Sequence, residues 1–154
     1  MLKLYFIVSL GAFLLISYGS SSLMLPLNNT YYVSEYETTF LHALAGCKMI
    51  DMDLLRIESA TESLNLYNLM DAAGLAVSGR AYWMGGAYLS DDSWVWIETG
   101  GVLSYTRWGA NEPNMTGSGT HCLQLGKDND GKSSINWQSR LCITSRYYIC
   151  EVNS

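Results

Sequence analysis

Groups able to act as a general base are scarce in this 154-residue chain: there are two histidines, His42 and His121. No nucleophile elbow, HExxH helix, P-loop or dinucleotide fingerprint accompanies them. Basic residues are also few, nine Lys and Arg against 14 Asp and Glu, for a net charge of −5. Such a balance gives no bias toward nucleic acid or an anionic membrane surface. No two of the four cysteines are spaced CxxC, which excludes the usual zinc and redox motifs. Coiled-coil heptads, collagen-like triplets, internal repeats and low-complexity tracts are all missing. These absences argue against an enzyme.

What is present begins with a leader. Lys3 precedes an apolar run from Leu4 to Ile16, and small residues follow from Ser17 through Ser22. This layout predicts a signal peptide over 1–21, cleaved between 19 and 22, and therefore a secreted, extracellular protein. The run is short for a membrane span, which needs about 20 apolar residues, so no membrane anchor is expected after cleavage. Residues 22–29 form a short lead-in, and 30–152 one domain. Without Lys3 the mature chain carries eight basic and 14 acidic residues, a charge of −6. Cys47, Cys122, Cys142 and Cys150 are an even set in an oxidising compartment, which reads as two disulfides with three pairings open. With all four in bridges no thiol nucleophile remains.

Asn28-Asn29-Thr30 is a glycosylation sequon, placing Asn28 at the surface. Tyr31 to Val33 is a β-prone run. Ser34 with Glu37 makes a capping box for a helix that turns Phe40, Ala43, Leu44 and Cys47 inward. A second box, Ser59 with Glu62, opens a helix carrying Leu66, Leu69, Met70 and Ala73 toward Gly74. From Arg80 onward the pattern is short β runs broken by Gly, Asp and Ser: "AYWMGG", "WVWIETGG", "HCLQLG", "SSINWQ" and "YYICEV". Asp130-Gly131 is a hairpin-turn signal, and Asp128 and Asp130 serve the turn. Helices first and strands after predict an α+β domain with most of the tryptophans in its core.

One stretch, Trp108 to Cys122, cannot be helix or central strand. It sets an acid, a proline and an amide side by side (Glu112, Pro113, Asn114) among glycines, so that two oxygen-bearing side chains face one way. Taken with Cys47, "LLRIES", "YWMGG", "WVWIETG", "RWGANEPN", Cys122, Trp137, Cys142 and "YYICE", it resembles a C-type lectin-like domain, most of all the short secreted lectins of insects. The resemblance spans about Tyr31 to Val152. It implies two helices, two small antiparallel sheets, a long irregular loop bearing the ligand site, and the bridges Cys47–Cys150 and Cys122–Cys142. Settings in host defence or reproductive secretions go with it by analogy.

In sugar-binding members of that family a Ca²⁺ ion is held by the Glu and Asn flanking a cis-proline, by a second Glu, and by an Asn-Asp pair after a Trp. Vicinal hydroxyls of a sugar complete its shell, and Glu-Pro-Asn goes with mannose-type ligands. Glu112 and Asn114 match. The second Glu falls on Thr120, and the Asn-Asp pair on Gln138 and Ser139, so one carboxylate stands where the family has three. Calcium affinity follows ligand charge, and at about 1.4 kcal/mol per lost carboxylate the site is mostly empty at millimolar calcium. Gln138 offers an amide oxygen as a further sugar contact. The expected function is mannose-type carbohydrate binding through an incomplete calcium site on the long loop, with glycans or glycoproteins as partners. The alternative is an interaction protein that has lost calcium-dependent sugar binding and takes a protein or another, calcium-independent, ligand on the surface from Arg107 to Gly119. Asn114-Met115-Thr116 is also a sequon, and a glycosylated Asn114 could not serve as a free ligand.

Overall fold

The computed structural model describes residues 23–89, 93–127 and 135–153. Among these residues two helices and eight strands follow in the order β1 (Met24–Pro26), β2 (Tyr31–Ser34), α1 (Phe40–Lys48), β3 (Met52–Leu54), α2 (Ala60–Ala72), β4 (Ala81–Tyr88), β5 (Trp94–Trp96), β6 (His121–Gly126), β7 (Asn136–Leu141) and β8 (Tyr147–Val152). The α+β class holds. Helices and strands are not segregated as the pattern suggested, because β1, β2 and β3 precede or interrupt the helices. The leader, the Asp130-Gly131 turn, Asp128 and Asp130 lie outside the described residues.

The sheets differ from expectation in one respect. β1, β2, β3 and β8 pair antiparallel, as do β4, β5, β6 and β7, but β8 also runs parallel to β4 through Tyr82↔Tyr147 and Trp83↔Tyr148. The two become one mixed sheet ordered β1-β2-β8-β4-β6-β7. β4 sits centrally and is buried on both faces, which is why its run alternates so little. Tyr82 and Met84 pack with Leu66, Met70, Leu123, Trp137 and Ile149, while Trp83 packs with Phe40, Leu54 and Tyr148. A Cβ on Gly86 would stand 2.8 Å from a methyl carbon of Leu123, so only glycine lets β4 and β6 close there.

The first capping box does not form. Ser34 lies in β2, fully buried, where its hydroxyl accepts from Tyr148 N–H at 2.9 Å and donates to the Tyr36 carbonyl at 2.8 Å. Its oxygen fastens β2 to β8 instead of capping a helix. α1 starts at Phe40, whose N–H donates to the Cys142 carbonyl at 3.0 Å, and Thr39 gives no side-chain cap. Phe40, Ala43 and Cys47 do face inward. The second box forms in part: Ser59 accepts from Glu62 N–H at 3.1 Å, while the Glu62 carboxylate reaches Glu58 N–H at 2.8 Å. The buried face of α2 is Ser63, Leu66, Tyr67 and Met70, so Leu69 is half-buried and Ala73 exposed. Of "WVWIETGG" only Trp94–Trp96 is strand, since Thr99 and Gly100 turn back to donate to the Trp96 carbonyl. Of "SSINWQ", Ile135 precedes β7, which begins at Asn136, and the two serines lie outside the described residues.

Cys47 is bridged to Cys150 and Cys122 to Cys142, across 103 and 20 residues. On the loop-entropy model these are worth about 4.7 and roughly 3 kcal/mol. The first ties α1 to β8. The second holds the end of the long loop against the chain leaving β7.

Candidate ligand site on the long loop

Between β5 and β6 the chain makes no helix and few ladder bonds, so its shape depends on anchors. Trp137 N–H donates to the Arg107 carbonyl at 2.7 Å, and Gly109 N–H to the Trp137 carbonyl at 2.9 Å, laying the loop beside β7. The Trp137 ring is fully buried among Trp96, Tyr105 and Trp108, at centroid distances of 5.7, 5.7 and 6.0 Å. Trp108 also meets Trp94 at 5.1 Å. Trp108 is thus a support of the loop. At the far end buried His121 joins its Nε2 to the Thr116 carbonyl at 3.1 Å.

From Gly109 the chain turns tightly, Glu112 N–H returning to the Gly109 carbonyl at 3.2 Å and Asn111 taking φ 60°. The Glu112–Pro113 bond is cis. Glu112 then lies against β7 with its side chain 8% exposed. Its Oε2 accepts from Asn114 N–H at 2.8 Å and Ser139 N–H at 2.9 Å. The Ser139 hydroxyl stands 2.8 Å from the same oxygen and 2.7 Å from the Asn114 carbonyl, and its one proton serves either. Oε1 accepts from Arg140 Nη1 at 2.9 Å. Burial pushes the Glu112 pKa up, but the hydrogen bonds from Ser139 and Asn114 and the Arg140 guanidinium outweigh it, and the net direction is down. Asn114 is exposed; its Oδ1 accepts from Thr116 N–H at 3.1 Å, which leaves the amide hydrogens as donors.

Of the residues singled out from the sequence, the structure brings together Glu112, Asn114 and Ser139. Gln138 does not join them: strand alternation turns it to the other face of β7, where its Oε1 accepts from Gln124 Nε2 at 2.7 Å. Thr120 also lies apart, beside Phe40 and Ile143, its carbonyl accepting from Cys142 N–H at 3.0 Å. Arg140 was not singled out at all. By alternation it belongs with Gln138, yet its long side chain reaches back to Glu112; only its nearness to Ser139 hinted at this.

The sequence model of the Lectin C-type domain matches residues 36–152. The chain belongs to the C-type lectin domain family. This is a family of non-enzymatic, carbohydrate-binding proteins. The lectin domain is 26% identical to perlucin of Haliotis laevigata over 122 residues, 79% of this chain and 74% of perlucin. It is 25% identical to the CD209 antigen of Homo sapiens over 126 residues, 80% of this chain but 28% of that protein. Among solved structures it is similar in fold to the complex of SPL-1 with GlcNAc (TM-score 0.67, 21% identity, covering 86% and 93% of the two chains). It is also similar to a calcium-independent type II antifreeze protein (TM-score 0.62, 22% identity, covering 84% and 91%).

The family is generally calcium-dependent, yet the donors at this site do not fit the ion. Both oxygens of the one carboxylate are taken by N–H and O–H donors, and the Asn114 oxygen by Thr116. The Arg140 guanidinium already stands beside Glu112 and neutralises its charge, so a second cation would have to displace it. No group of three His, Cys, Asp or Glu able to hold a metal occurs among the described residues.

Proposed function

We propose that the chain is a secreted carbohydrate-binding protein that holds mannose-type glycans by direct hydrogen bonds, without calcium, on the surface made by Glu112, Asn114 and Arg140. The observation that carries this reading is the Arg140–Glu112 pair at 2.9 Å, which neutralises the carboxylate where the family places its ion. Around the pair the surface keeps donors on Arg140 and the Asn114 amide, set by a loop that Trp108 and His121 anchor at both ends. Sugar hydroxyls both donate and accept, and a charge-assisted fork orients them well. Mannose-type ligands are the class that accompanies Glu-Pro-Asn in this family.

The reading is tested on immobilised mannan with the mature protein. Glu112→Ala and Arg140→Ala should each weaken retention by about tenfold or more, or 1.4 kcal/mol. Retention unaffected by either substitution sinks it. A second reading is a protein ligand on the surface from Arg107 to Gly119, favoured by the saturation of Glu112 and by the exposed sequon at Asn114. Intact mass before and after glycan removal, for wild type, Asn28→Gln and Asn114→Gln, separates the two: an occupied Asn114 removes the amide from the sugar site.

A further inference from the structure

Behind Ser139, on the face of β7 that carries Gln138, lies a cleft of about 310 Å³ whose long side chains are Arg80, Gln124, Lys127, Gln138, Arg140 and Arg146. Four of the nine basic residues of an acidic chain converge on it. No Asp or Glu lines it among the described residues. The cations come from four places in the fold: just before β4, just after β6, within β7, and just before β8.

Their hydrogen bonds leave the charge largely uncompensated. Arg146 donates from Nε to Gln124 Oε1 at 2.8 Å and from Nη1 to the Ser145 carbonyl at 2.7 Å, both neutral acceptors. Arg80 lies 4.0 Å above the Tyr147 ring, and its buried Nε has no hydrogen-bond partner. Lys127 makes no ion pair with a described acid. Arg140 alone is paired, through one nitrogen on Glu112. Burial lowers the Arg146 pKa, the like charge of Arg140 lowers it further, and Glu37 acts the other way. Grouped cations with an unsatisfied buried N–H are costly unless an anion joins them.

We propose that this cleft binds a sulfate ester on a glycan, held among Arg80, Lys127, Arg146 and the free edge of Arg140. A planar carboxylate suits one in-plane fork, whereas a tetrahedral oxyanion takes donors from several directions, as these four cations approach. The site is continuous with the proposed sugar surface, since Arg140 belongs to both. The assignment of the anion to a glycan rests on that reading; the oxyanion preference of the cleft does not.

The experiment compares binding of the mature protein to chondroitin sulfate and to chemically desulfated chondroitin, which keeps the same backbone and carboxylates. Sulfated chains should bind roughly tenfold more tightly, with Lys127→Gln and Arg146→Gln each removing most of the difference and Arg146→Lys restoring part of it. Inorganic sulfate should compete better than chloride at equal ionic strength. Urea midpoints verify that the variants fold, and mannan retention is followed in parallel. Equal binding of sulfated and desulfated chains, no preference for sulfate over chloride, or a sulfate preference untouched by both Gln variants each overturns the proposal. A sulfate preference lost in those variants upholds it even if mannan is not retained, which would count against the neutral-glycan reading alone.

Discussion

Replacing Glu112 with Gln keeps the side chain's shape and removes its charge. The carboxylate accepts at both oxygens, from Ser139 and Asn114 on one and from Arg140 on the other. An amide has one acceptor oxygen, so its NH₂ group must face either the Ser139 N–H or the guanidinium. Ser139 is fully buried, and its N–H cannot turn to water. One unmade bond there costs about 1–3 kcal/mol, and the lost charge assistance in the remaining bonds brings the total to about 2–4 kcal/mol. Arg140, 37% exposed, regains hydration and adds little. Against a domain stability of about 5–15 kcal/mol this is a large share. With a urea slope of about 1–3 kcal/mol/M, the unfolding midpoint should fall by about 1–2 M with the slope unchanged. The pH dependence has a definite sign. Because the folded pKa lies below the ordinary 4.5, the carboxylate's contribution is complete above that value and is lost as pH falls through the folded one. The gap between wild type and variant should therefore narrow in acid. A cost below about 0.5 kcal/mol at pH 7 would refute the reasoning, because Glu112 would then be a free, solvated group.

Glu151 should behave in the opposite sense. Burial pushes its pKa up to about 7, with Arg56 at 3.3 Å pulling down and Glu62 adding to the rise. Its contribution to stability is complete below pH 4.5 and is lost as pH rises through about 7. Thermal unfolding from pH 4.5 to 8 should show a loss on the order of 3 kcal/mol that Glu151→Gln abolishes. Converting both Cys122 and Cys142 to Ala should cost about 3 kcal/mol in urea unfolding and loosen the loop's end, seen as faster amide exchange from 116 to 121. Exchange unchanged there would mean that Trp108 and His121 hold the loop without the bridge.

Where the chain obeys a period, its structure could be read directly. "HCLQLG" and "YYICEV" became β6 and β8 end to end, and Ser59 capped α2 because that bond is local. Ser34 misled because its hydroxyl serves β8, more than a hundred residues away, and nothing near it in sequence says so. The parallel joint between β4 and β8 was hidden for the same reason. At the site, Glu112 and Asn114 were legible as a motif, whereas the role of Gln138 turned on strand register, which sends adjacent residues to opposite faces. Arg140 was invisible because a flexible side chain escapes that alternation.

The central claim is that Arg140, not calcium, neutralises Glu112 in the sugar site. It is tested most directly by retention of the mature protein on immobilised mannan, run in parallel in millimolar Ca²⁺ and in excess chelator. Equal retention in both, lost with Arg140→Ala, is the predicted result. Retention in calcium that a chelator abolishes would contradict it.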